Sequence, residues 1–254
     1  MTSRLQGQRV LVVGAGTQRS DDPDAPPGNG RAIAVAAARE GAAVVCADRD
    51  RESAAATAAL VVEAGGTASV IEADVADADA CRDLVEAAGP ITGVVLNVGI
   101  GRGSGGLAGT STQDWDVTMT VNLRSHFLVT QAALPRLEVG GSIVYISSFA
   151  GLQPGSRLPA YDASKAGIIG LCRHVALEGA RKGVRANVVC PGLIDTPLGR
   201  AASAGRPSRE RTPVPLGRQG TAWEVAAPVV FLLSDEASYV TGTTMVVDGG
   251  LHLL

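Results

Sequence analysis

The feature that most constrains this chain is an alternation. Seven short, largely apolar runs, Arg9–Val13, Ala43–Ala47, Ala68–Glu72, Gly93–Leu96, Ile143–Ile146, Val184–Cys190 and Thr243–Gly250, are separated by longer stretches of helical periodicity. Short continuous runs of this kind suit strands buried on both faces of a parallel sheet. The stretches Arg51–Ala64, Asp114–Arg136, Ala160–Lys182 and Trp223–Leu233 read as helices. Strand and helix in turn predict an α/β fold, a doubly wound parallel sheet of about seven strands with helices on both faces and right-handed crossovers. With 254 residues and 46% hydrophobic content the chain can bury the core of one such domain, and neither a repeat nor a linker divides residues 1–254.

Charge narrows the partners. The net charge is −3 and the pI about 5.6, so no basic field exists to draw in nucleic acid or an anionic membrane. A small-molecule substrate fits better. No apolar run approaches the roughly 18 residues of a membrane span, and the opening MTSRLQGQRV lacks the apolar core of a signal peptide, so a cytoplasmic location is expected. Cys46, Cys81, Cys172 and Cys190 are widely spaced with no C-x-x-C pair, which predicts reduced, mostly buried thiols and no metal site.

Two stretches carry chemistry. In the first, the run Arg9–Val13 ends in Gly14-Ala15-Gly16, and after a Pro- and Asp-rich loop Gly28-Asn29-Gly30 starts a helix. A Rossmann-like dinucleotide unit opens this way, because backbone N–H groups at a helix N-terminus meet a pyrophosphate at close range. A plain strand–turn–helix linker would use the same glycines. Asp48, at the end of the second run, is placed to accept hydrogen bonds from the adenosine ribose and to repel a 2′-phosphate. That favours NAD, with NADP possible if Arg49 or Arg19 offsets the repulsion.

The second stretch is Gly141–Leu171. Ser147 and Ser148 follow the run Ile143–Ile146, at the end of the strand where open parallel sheets bind ligands. Tyr161 and Lys165 are four apart on a helix and share a face, so an ammonium lies near a phenol. A phenol titrates near 10, and a cation within reach lowers that by about 1–3 units. Tyr161 is thereby brought toward acid–base work near neutrality, and Ser148 would hold the reacting oxygen.

Ser148, thirteen residues before Tyr161, together with Tyr161-Asp162-Ala163-Ser164-Lys165, resembles the short-chain dehydrogenase/reductase family, and the likeness runs along nearly the whole chain. The resemblance implies that Tyr161 is the general acid or base, that Lys165 lowers its pKa and bonds the nicotinamide ribose, and that Ser148 polarises a substrate carbonyl or carbinol. It makes Asn122 the residue that kinks its helix and holds a water of the proton relay. It sets Asp74 and Val75 against the adenine, and has Asn97 and Gly99 line the cofactor. From Pro191-Gly192-Leu193-Ile194-Asp195-Thr196 it expects backbone of Gly192 to Ile194 along the nicotinamide and the Thr196 hydroxyl near the carboxamide or the phosphates. The function so implied is an NAD(P)-dependent oxidoreductase moving hydride between the nicotinamide and a secondary alcohol or carbonyl. The rival is an idle dinucleotide-binding scaffold or sensor. Enoyl reductases of the related group space their Tyr and Lys more widely.

The chain departs from the family at one place. Thirteen residues, not three, separate Gly14 from Gly28, so about ten are inserted within residues 17–27. The insertion is expected beside the adenosine half of the cofactor, with Asp21, Asp22 and Asp24 toward solvent and Thr17, Gln18 or Arg19 toward the ligand. Residues 193–220 show little periodicity and read as a mobile substrate lid, whose Arg200, Arg206, Arg209, Arg211 and Arg218 read as a solvated face. His126 reads as a packed histidine. The helical stretches Asp114–Arg136 and Ala160–Lys182 are more apolar than one sheet face needs, and in the family they form a subunit interface, so a homotetramer is expected.

Overall fold

Each apolar run is a strand. β1 (Arg9–Val13), β2 (Ala43–Asp48), β3 (Thr67–Glu72), β4 (Gly93–Leu96), β5 (Ser142–Ile146) and β6 (Arg185–Pro191) are joined by a seventh strand that follows two short ones, β7 (Ile194–Asp195) and β8 (Gly220–Thr221). The short pair bonds only to itself, and the seventh, β9 (Thr244–Val247), closes a sheet of order β3-β2-β1-β4-β5-β6-β9. All six ladders are parallel. The computed structural model describes residues 3–20, 22, 24–203 and 214–254.

The period of two along each strand sorts its side chains into two cores. Val10, Val12, Val44, Cys46, Val95 and Val144 face one side, under α1 (Asn29–Arg39), α2 (Arg51–Glu63) and a helix over Ala222–Leu233. Leu11, Val13, Val45, Val94, Leu96 and Tyr145 face the other, under α3 (Ala78–Ala88), α5 (Ser125–Ala133) and α6 (Pro159–Gly179). Each such Val or Leu, fully buried, contributes roughly 1.5–3 kcal/mol. The four cysteines are buried and free, and burial pushes the Cys46 and Cys172 thiols up to about 12 and Cys81 to about 11.

Local sequence sets the helix starts. Asp50 caps α2, Asp77 caps α3 and Ser111 caps α4 (Thr112–Met119). α7 (Pro197–Ser203) comes next in chain order, and Thr221 and Glu224 form a reciprocal capping box at the start of α8 (Ala222–Leu233). α1 differs: its N-cap is Gly28, and no side chain caps it.

Two expectations need correction. The helix predicted over Asp114–Arg136 runs instead from Thr112 to Ala133, and it is interrupted by a π-helical turn over Thr120–Arg124, with Asn122 at the middle. The segment predicted to lack regular structure contains β7, α7 and β8. Arg206, Arg209 and Arg211 lie outside the described residues.

Candidate active site

The strand order reverses direction between β1 and β4, and that switch point is where an open parallel sheet leaves a crevice for a ligand. The glycine turn at its floor is tight. Gly14 has φ +82°, and Asn97 Nδ2 donates to its carbonyl at 2.8 Å. A methyl group at Gly30 would run into that carbonyl and the Asn97 amide, so only glycine lets α1 start this close to β1. The first N–H groups of α1 thus face the crevice with no side-chain cap. The Asn29 Oδ1 beside them is buried with no hydrogen-bond partner. An uncapped helix N-terminus and an orphaned acceptor fit an anionic ligand that also carries donors, as a dinucleotide does.

Asp48, at the end of β2, accepts from Gly16 N–H at 2.9 Å and from Asp50 N–H at 3.1 Å, which fixes its carboxylate at the far end of the crevice. Beyond it Asp74 accepts from Ala76 N–H and lines a shallow depression with Arg49 and Glu72, while Val75 is buried in the core. At the near end Gly192 N–H donates to the Val247 carbonyl, and a Cβ on Gly192 would lie 2.5 Å from that of Asp248. Pro191 ends β6, the Ile194 side chain points into the core, and Thr196 Oγ1 accepts from Gly199 N–H at the head of α7. Thr196 keeps its own hydroxyl hydrogen to donate.

Tyr161 and Lys165 lie one turn apart on α6, and Ser148 follows β5. Lys165 is 3% exposed. Its Nζ donates to the Ile146 carbonyl at 3.0 Å and sits 5.7 Å from the Tyr161 ring centroid. Burial lowers its pKa to about 8, against a weaker opposing effect of the Cys190 thiol. Gly99 makes room for the ammonium, since a Cβ there would stand 3.0 Å from it. Ser148 Oγ caps the short turn Phe149–Gly151 by accepting from Ala150 N–H. Asn122 uses its whole amide: Oδ1 accepts from Ile100 N–H at 2.8 Å, and Nδ2 donates to the Ile100 carbonyl and to Ser164 Oγ. A relay water would therefore be held by backbone that the π-turn releases.

The Lys165 cation stands within reach of the Tyr161 phenol, and a cation there favours the phenolate. A bound nicotinamide supplies or accepts the hydride. Sequence reasoning gave no role to Ser147, whose buried hydroxyl donates to the Lys165 carbonyl at 2.7 Å, or to Ser164, which joins Asn122 to the Tyr161 carbonyl. Their adjacency to Ser148 and Lys165 was the available signal. His126 is buried as expected, stacked on Tyr145, and burial, with Lys165 nearby, drives its pKa down to about 3.

The insertion follows its own course. Thr17 N–H donates to Ser53 Oγ, and Gly28 N–H to Thr17 Oγ1 at 3.1 Å. Arg19 turns to the start of α2, where it bonds Asp50 and Glu52. Asp24 is exposed, Asp22 is ion-paired with Arg200, and Asp21 lies outside the described residues.

A doubly wound sheet with a glycine turn at its switch point and Ser, Tyr and Lys at its carboxyl edge defines a nicotinamide-dependent oxidoreductase. The comparisons agree. A family model described as Enoyl-(Acyl carrier protein) reductase matches residues 26–252. The chain is 36% identical to 2-(S)-hydroxypropyl-CoM dehydrogenase 3 of Xanthobacter autotrophicus over 99% of both chains. It is 37% identical to (3R)-3-hydroxyacyl-CoA dehydrogenase of Homo sapiens, covering 100% of this chain and 98% of that one. A crystal structure from Agrobacterium tumefaciens with bound NADP superposes with a TM-score of 0.86 at 37% identity, over 99% of this chain and 98% of its own. The chain belongs to the short-chain dehydrogenase/reductase family, whose members are NAD(P)-dependent oxidoreductases. No helix among the described residues is long and apolar enough to cross a membrane.

Proposed function

We propose that this protein interconverts a secondary alcohol and its carbonyl compound, with NAD preferred and Tyr161 as the general acid or base. The observation that carries the reading is the buried Lys165 ammonium against the Tyr161 ring, one helical turn away. The two relatives named above are dehydrogenases whose names carry a hydroxyl-bearing substrate. A panel of secondary alcohols, sugars, steroids, 3-oxoacyl thioesters and enoyl thioesters, followed by nicotinamide absorbance with each cofactor, tests it. Turnover of a carbonyl or carbinol is expected. Turnover of the enoyl thioesters alone would assign the chain to the activity in the family model's description, and no turnover at all would support the idle scaffold.

The NAD preference rests on Asp48. Its carboxylate is fixed where the adenosine ribose would lie, and Arg19, which could have neutralised it, is engaged by Asp50 and Glu52. We assign cofactor contacts to Gly14, Gly28, Asn29, Gly30, Asp48, Asp74, Val75, Asn97, Gly99, Tyr161, Lys165, Pro191, Gly192, Ile194 and Thr196. Arg19 serves only at the rim. A homotetramer is supported by two separate apolar surfaces, one with Trp115, Val117, Phe127 and Leu177 exposed on α4, α5 and α6, the other at the sheet edge with β9 half-covered and Leu253 and Leu254 exposed. Two self-complementary patches generate a closed dihedral assembly. A cytoplasmic location completes the proposal.

A further inference from the structure

Two stretches of chain meet α6 at one backbone group, the Lys165 carbonyl. The first is the end of β5. Ser147 N–H donates to the Val189 carbonyl at 2.9 Å, which extends the contact with β6 one residue past Ile146, and the buried Ser147 hydroxyl donates to the Lys165 carbonyl at 2.7 Å. The Lys165 ammonium returns to the Ile146 carbonyl at 3.0 Å, so Ile146 and Ser147 grip Lys165 at both of its ends. The second stretch is the short turn after Ser148, which passes over the same carbonyl. A Cβ on Gly151 would lie 2.7 Å from the Lys165 carbonyl carbon and oxygen and 2.9 Å from Ser147 Oγ, so only glycine lets the turn come this close. Ser148 is therefore bracketed by two residues that both rest on Lys165. Tyr161 lies one helical turn before it, and the peptide at 165 carries residue 161 with it as one rigid turn.

We propose that Ser147 is a positioning residue: its hydroxyl anchors the end of β5 to the backbone of α6 and so sets where Ser148 stands relative to Tyr161, a role that rests on the alcohol–carbonyl reading of the site. The other ties to α6 do not fix that distance. The Lys165 ammonium sits on a flexible four-carbon stem and has two further donors that a ligand can draw on, so its bond to Ile146 leaves the helix backbone free to shift. Asn122 Nδ2, which donates to Ser164 Oγ at 3.0 Å, ties α6 to the π-turn and not to β5. The Ser147 hydroxyl is one bond from its Cβ and reaches backbone directly, from a residue that the sheet already holds. It leaves the spacing of Tyr161 and Lys165 alone, because that spacing is internal to the helix.

A double-mutant cycle in the full-length protein tests the role, on the panel compound that wild type turns over fastest. Ser147→Ala is expected to lower kcat by about tenfold or more, since misplacing a reacting group by about 1 Å can cost up to about a hundredfold. The NADH dissociation constant should stay within about twofold, and Ser147→Cys, whose thiol is a weaker donor of similar shape, should fall between Ser147→Ala and wild type. In a Ser148→Ala background, assayed at high enzyme concentration, Ser147→Ala should cost less than about twofold more, because a residue that acts through Ser148 has nothing left to position. A rate within twofold of wild type in the single variant, or an equal loss in both backgrounds, would overturn the role. Amide exchange across 149–152 in the cofactor-free protein reads the anchor without any substrate. It is expected to quicken in Ser147→Ala, and equal exchange would overturn the anchor itself. If exchange quickens but wild type turns over no compound of the panel, the alcohol–carbonyl reading fails and the positioning role with it, while the anchor stands.

Discussion

Lys165 is the residue at which burial and chemistry conflict. Its ammonium is buried against the Ile146 carbonyl, so the folded protein holds its proton less firmly than the unfolded chain does, at about 8 against 10.5. The sign follows from linkage: below pH 8 both states are protonated and the cost of burying the charge is full, and as pH rises from 8 toward 10.5 the folded state sheds the proton first and that cost is relieved. Cofactor-free wild type should therefore gain stability between pH 7.5 and 9.5 relative to Lys165→Met, as read by denaturant midpoints. Parallel pH profiles would show that burial does not lower the amine's pKa in the folded protein. Tyr161→Phe should lower turnover by at least about a hundredfold, the usual worth of a positioned acid or base, while the NADH dissociation constant stays within about twofold. A variant retaining a tenth of the wild-type rate would remove Tyr161 from the proton step. At the other end of the crevice, Asp48→Ala should narrow or invert the preference for NAD, measured as the ratio of kcat/KM with the two cofactors. An unchanged ratio would mean that the carboxylate takes no part in the choice.

The helix that carries Asn122 shows how an element can be read correctly and still lack its functional detail. The apolar spacing of residues 112–133 suits a continuous helix, and nothing in the period of Thr120-Val121-Asn122-Leu123-Arg124 distinguishes a π-turn from an α-turn. Asn122 in an apolar context was the one sign. Its amide staples the loop after β4 to α6 through Ile100 and Ser164. Asn122→Leu keeps the volume and strands those groups, so we expect a loss of about 2–3 kcal/mol, seen as a lower melting temperature, with Asn122→Asp intermediate because it still accepts from Ile100 N–H. The strands and the Ser148, Tyr161 and Lys165 positions were legible because local pattern or fixed spacing encodes them. The hydroxyl bonds of Ser147, Ser164, Ser53 and Thr17, and the pairing of Asp22 with Arg200, were not. Their partners lie between 3 and 178 positions away, and only the folded chain chooses them.

For the whole molecule, the apolar surface on α4, α5 and α6 and the open edge at β9 predict a tetramer. Light scattering at micromolar concentration should give about four times the chain mass of 25.7 kDa, and Phe127→Glu should reduce that mass by leaving a charge against a like surface. A monomer mass for wild type would refute the assembly. The turn at Gly14 has a different consequence. Thr17 Oγ1 takes the Gly28 N–H, and Ser53 fixes Thr17 from below, so the insertion departs from the fold and returns to it at nearly one point. Closure of the excursion is then set at its base, and doubling its length adds only about 0.6 kcal/mol of loop entropy. The sheet scarcely registers what lies between those two residues. The segment from Ser20 to Pro26 should therefore accept a small independent domain as a graft: such a chimera would give up the contact with Arg200 yet melt within a few degrees of the parent, making this loop the natural port through which the protein could be tethered, labelled or made to report on its own cofactor.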